Sequence, residues 1–96
     1  MPQYSRVVTF EADDAAIAAL LDEVKSSDGP PEGLPAKRLT MLADRAAGKL
    51  VVAVRFDSEE DLRKGSEMFE AMSPPAGGNI RRLSVDAYEV VFEQDA

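Results

Sequence analysis

Arg38 lies in the run Lys37–Ala43 and Arg55 in Lys49–Phe56, two stretches where side chains can alternate between the faces of a sheet. A guanidinium presents a planar fork of donors that suits a carboxylate or an enolate. Set among apolar side chains, it orients a ligand rather than reacting with it. Tyr88, Asp86 and Thr9 fall on the same side of the alternation and add hydroxyl and carboxylate groups. Arg55, Arg38, Tyr88, Asp86 and Thr9 are therefore the candidate ligand-binding residues. The plainer alternative pairs the arginines with Asp86 or leaves them at the sheet rim, since structural ion pairs outnumber sites.

A second constellation is acidic. The first and third strands are expected as parallel neighbours, so both strand-to-helix corners share one edge, gathering Glu11, Asp13, Asp14, Asp57, Glu59, Glu60 and Asp61. Oxygen donors of this kind suit Mg²⁺ or Ca²⁺. No segment has the spacing of a calcium loop, and acids in a helix's first turn are stabilised by its dipole, so capping and a solvated rim are expected instead of a metal. Tyr4 and Tyr88 suit hydrogen bonding to a phenol, although buried tyrosines more often fill space. Asn79 sits in a Gly-Gly-Asn run and reads as a turn former, while Met41, Met68 and Met72 read as core packing.

What is missing excludes more. The chain has no cysteine, histidine or tryptophan. Disulfides, thiolate chemistry, sulfur metal sites, the usual neutral-pH base and the commonest zinc ligand are thereby removed. A net charge of −7 argues against nucleic-acid and anionic-membrane partners. No apolar run approaches the ~20 residues of a membrane span, and Met1–Arg6 lacks the features of a signal peptide, so a cytoplasmic location is expected.

Six elements must position these residues within one domain covering residues 1–96. Tyr4–Phe10 reads as a strand from its β-branched and aromatic content. Asp13 or Asp14 can cap the next helix, whose stripe is Ile17, Leu20, Leu21 and Val24. Ser26–Ala36, rich in proline and glycine, reads as a loop. Lys37–Ala43 and Lys49–Phe56 suit a hairpin, the second apolar on both faces as in a central strand. Ser58 and Asp61 form a shortened capping box, and Leu62, Phe69 and Met72 share a face of the helix, with Gly65 allowing close approach. After Ser73–Asn79, Ile80–Phe92 reads as a long strand with a bulge or bend near Ala87.

The larger apolar residues Leu39, Met41, Leu50, Val52, Val54, Phe56, Leu83 and Val85 are assigned to the helix side. Val7, Thr9, Arg38, Thr40, Leu42, Val51, Ala53, Arg55, Arg82, Ser84, Asp86 and Tyr88 then face away from the helices. Val8–Asp14 repeats the pattern of Val54–Glu60, and a doubled βαβ unit gives an α+β, ferredoxin-like βαββαβ sandwich: a four-stranded antiparallel sheet with two helices on one face. An apolar helix-free face needs cover, so a homodimer is expected.

The run Val51–Met72 (VVAVRFDSEEDLRKGSEMFEAM), followed by Ser73-Pro74-Pro75 and a long final strand, resembles the dimeric α/β-barrel superfamily, closest to its antibiotic-biosynthesis-monooxygenase-like group. The resemblance implies two four-stranded sheets paired into a barrel. Three roles are then weighed, the first leading and the second its rival. These are a small apolar or aromatic ligand held between sheet and helices, cofactor-independent oxygenation of a phenolic or polyketide-like substrate, and a structural or regulatory dimer without ligand. No cofactor is expected. The superfamily's oxygenases often place Asn, His or Trp near the substrate; this chain lacks the last two, which weighs against the oxygenase role without excluding it, and no catalytic residue is carried over.

Overall fold

The computed structural model describes residues 2–26, 33–71 and 80–95. The elements follow the order β1 (Tyr4–Ala12), α1 (Asp14–Ser26), β2 (Ala36–Asp44), β3 (Lys49–Phe56), α2 (Glu59–Ala71) and β4 (Ile80–Glu89). All expected elements form, and the sheet order is β2-β3-β1-β4 with every neighbouring pair antiparallel. This is an α+β arrangement compatible with a ferredoxin-like sandwich.

Local chemistry sets the element ends. Asp13 caps α1, its Oδ1 accepting from the Ala16 N–H at 2.8 Å. The Ser58 hydroxyl accepts from the Asp61 N–H at 3.1 Å and starts α2 in the same way. The β2–β3 turn closes through Asp44, whose Oδ1 accepts from the Ala47 N–H at 3.1 Å, and through Gly48, whose φ of 67° is a conformation glycine adopts freely. The Gly48 carbonyl then accepts from the Ala12 N–H at 2.8 Å, fastening the hairpin to the end of β1.

The core lies between the sheet and the helices. Ala12, Ala16, Ile17 and Leu50 form its buried centre, with Phe10, Leu20, Leu21, Met41, Val52 and Ile80 packed around it. Val8, Val54 and Phe56 are also buried. Leu50, Val52, Val54 and Phe56 share one parity of β3; Leu50 joins the α1 cluster and Phe56 meets Gly65 of α2, so both helices cover the same sheet face.

Several expectations need correction. β1 and β3 run antiparallel, with Tyr4 opposite Phe56 and Glu11 opposite Lys49, so the two strand-to-helix corners lie at opposite ends of the sheet. β4 ends at Glu89 and not at Phe92, because beyond it the Val90 N–H meets only the residue before β1, donating to the Gln3 carbonyl at 2.8 Å. The irregularity in β4 falls at Leu83, skipped where Thr9 pairs with Ser84 and Phe10 with Arg82, and not near Ala87. That extra residue reverses the parity below it and moves Arg82 to the helix side. Val24 is more exposed than its place in the stripe suggested, and Ala16 takes a buried position instead. Met72, Asn79 and the Ser73–Asn79 connection lie outside the described residues, as does most of the expected Ser26–Ala36 loop.

Candidate functional site

The strand registers turn the helix-free face into a grid, each row read across β2, β3, β1 and β4. One end row is Asp44, Lys49, Glu11 and Arg81. The next two are Leu42, Val51, Thr9, Ser84 and Thr40, Ala53, Val7, Asp86. The last is Arg38, Arg55, Ser5 and Tyr88. Alternation along β2, β3 and β1 therefore worked as expected, and in β4 it worked beyond the Leu83 irregularity.

All five candidate ligand-binding residues stand on this face, though not at one point. Arg38, Arg55 and Tyr88 share a row, Asp86 is one row away, and Thr9 is two rows away, roughly 14 Å along the strand. Arg38 and Arg55 are direct cross-strand neighbours. Tyr88 is 55% exposed. Any molecule these residues touch lies on the side of the sheet away from the helices. Between sheet and helices, an open groove at α2 and β4 has different walls: Glu59, Glu60, Leu62, Arg63, Ser66 and Ala87.

Arg55 is partly buried, its side chain 23% exposed, and its partner is Glu93 rather than Asp86. Arg55 Nη1 and Nη2 donate to Glu93 Oε2 and Oε1 at 2.9 and 3.0 Å, and Nη1 also donates to Gln3 Oε1 at 3.1 Å. The forked bond raises the Arg55 pKa above its ordinary value against a smaller opposing effect of burial. The Glu93 carboxyl is held below the usual range, first by its bond to Arg55 and then by the charges of Arg55 and Arg38. Asp86 cannot take this role because β1 lies between β3 and β4, which places it roughly 10 Å off across the strands.

Around Arg55 the network continues, with Gln3 Nε2 donating to Asp57 Oδ1 at 3.3 Å and Lys37 standing 3.5 Å from the same oxygen. Sequence reasoning missed Gln3 and Glu93. Gln3 precedes the first strand, and Glu93 follows a run read as strand, whose regular path would not have crossed the sheet end to β3.

A second polar cluster, also missed, lies under α2. Arg6 is buried at 6% exposure, its guanidinium carbon 5.2 Å from the centre of the Phe69 ring. Arg6 Nη2 and Arg82 Nη1 donate to the same oxygen, Glu70 Oε1, at 2.9 and 2.7 Å. Burial lowers the Arg6 pKa, opposed by the attraction of Glu70. The signal was present: Arg6 has the parity of Val8, Phe10 and Ala12, all turned to the core.

The acidic constellation is dispersed. Asp13 caps α1, while Asp14 pairs with Arg45 at 3.1 Å, Glu11 with Arg81 at 3.2 Å and Glu60 with Lys64 at 3.6 Å. Among the described residues no cluster of three or more His, Cys, Asp or Glu side chains is placed to hold a metal. Millimolar Mg²⁺ or Ca²⁺ is therefore expected to leave the melting temperature unchanged. A saturable rise abolished by Asp57→Asn with Glu60→Gln would contradict this.

Among the described residues no helix is long and apolar enough to cross a membrane. No family model matches the chain, and neither a curated protein nor a solved structure is significantly similar to it.

Proposed function

We propose that the chain acts as a homodimer of dimeric α/β-barrel type, in which the helix-free faces cover each other and hold a small apolar or aromatic molecule bearing an acidic group. The layout of that face carries this reading. Its middle rows contain Leu42, Val51, Val7 and Ala53, with Leu42 57% exposed, flanked by charged rows that set orientation. Arg38 and Arg55 supply the donors for a carboxylate or enolate, and Tyr88 stands in the same row on the far side of β1.

A second reading, a structural or regulatory dimer without ligand, is favoured by one observation: Arg55 already has a carboxylate in Glu93. Melting curves separate the two readings. Under the ligand reading, Arg55→Ala shifts the apo-protein by only a few degrees, since its pair is partly solvated, and abolishes stabilisation by an aromatic acid. A large apo-state loss with no acid response in either protein supports the ligand-free dimer.

Assembly is tested by light scattering after size-exclusion chromatography. A mass twice the 10.4 kDa of the chain is expected, and Leu42→Glu with Val51→Lys should return it to a monomer. A wild-type monomer at micromolar concentration overturns the proposal.

A further inference from the structure

The two end rows of the helix-free face handle charge differently. Across Asp44, Lys49, Glu11 and Arg81 the signs alternate, so each charge has an opposite neighbour within the sheet. Across Arg38, Arg55, Ser5 and Tyr88 two cations stand side by side with no strand acid in the row. Like charges directly opposite destabilise a strand pair, and the missing anion comes from outside the sheet. The chain leaves β4 at Glu89, bonds through Val90 to Gln3 just before β1, and brings Glu93 across to β3.

We infer that Glu93 is a built-in carboxylate filling the site of Arg55 and Arg38, and that an acidic ligand enters by displacing it, so the C-terminal segment gates the site. The inference rests on the ligand reading proposed above and adds its regulation. The forked bond uses both terminal nitrogens of Arg55, the geometry by which a guanidinium recognises a free carboxylate, so Glu93 and a ligand acid compete for the same donors. Little else ties the segment down. Val91 and Phe92 are 85% and 77% exposed, and among the described residues the Glu93 bonds are the side-chain hydrogen bonds that join residues 91–95 to the sheet. Glu93 is itself about half exposed, so the pair borders solvent, where a ligand carboxylate can reach the same donors.

The test uses the wild-type chain, Glu93→Gln, and Arg55→Met with Glu93→Gln. Calorimetric titration employs 4-hydroxybenzoate as the acidic probe and phenol as its uncharged counterpart. Nitrogen-15 relaxation at residues 91–95 reports independently on the segment. If Glu93 fills the site about nine-tenths of the time, its removal tightens binding of the acid about tenfold. The expected result is that gain in Glu93→Gln, with faster motion of residues 91–95, no gain for phenol, and loss of acid binding when Arg55 is also replaced. Equal affinity in wild type and Glu93→Gln, still dependent on Arg55, overturns the gate and leaves the ligand reading standing. Failure of every variant to bind the acid overturns both.

Discussion

Gly65→Ala is expected to destabilise the protein by about 1–3 kcal/mol, although the same change at an ordinary helix position stabilises by about 1 kcal/mol. The reversal follows from where α2 meets β3. A Cβ on Gly65 would fall onto Phe56 Cε1 and lie 2.5 Å from Cζ, and the Phe56 ring is fully buried with little space to retreat. Glycine therefore sets how closely the helix approaches the sheet. Removing the ring by Phe56→Ala is expected to cost about 3–5 kcal/mol, a large share of the roughly 5–15 kcal/mol that a domain possesses. Adding Phe56→Leu to Gly65→Ala should recover part of the loss, because the smaller side chain vacates the space the new methyl needs. A double-mutant cycle in urea measures that coupling. Additive effects, or a Gly65→Ala protein more stable than wild type, would show that α2 can lift away freely.

The other large effect is expected at the carboxylate shared by Arg6 and Arg82. Glu70→Gln removes the charge that balances both guanidinium groups and leaves the buried one of Arg6 unpaired, so it should lower the melting temperature by several degrees. Arg6→Met should cost much less, because methionine fills apolar space beside Phe69 and Glu70 keeps Arg82. The ordering is the test: if Arg6→Met is as damaging as Glu70→Gln, the packing of the Arg6 stem outweighs the charge pair.

The same cluster predicts a pH dependence. The bond from Arg82, followed by the charges of Arg82 and Arg6, holds the Glu70 carboxyl below the usual glutamate range despite opposing desolvation. Because the folded pKa is depressed, its contribution is fully present above the unfolded value of about 4.3 and is lost as pH falls through the folded value. Glu93, depressed by Arg55, acts in the same direction. Urea midpoints should therefore be flat near neutrality and fall below about pH 4. Glu70→Gln should lie lower at neutral pH and show a shallower acid limb.

Features governed by neighbours along the chain were legible from residue order alone. A cap at Asp13 or Asp14, of which the structure uses Asp13, and one at Ser58 were legible because a capping side chain needs only backbone N–H groups two or three residues ahead. β3 was located end to end because its apolar run is bounded by a turn and a capping serine. The placement of Arg38, Arg55, Tyr88, Asp86 and Thr9 on one face followed from the two-residue period of a strand.

What tertiary structure decided were relations between distant segments. The antiparallel pairing of β1 with β3 separated the acidic corners, a matter of chain direction that composition does not encode. A single extra residue at Leu83 carried Arg82 through the sheet to Glu70, since a one-residue shift exchanges the faces of the residues on the other side of it. Arg55 was legible as a cation needing a partner, yet the register placed Asp86 beyond β1, and only the path of the chain after Glu89 brought Glu93 to it. Sequence determined which groups must be satisfied; the fold determined by whom, because an ion pair across dozens of residues depends on the positions of all the strands between.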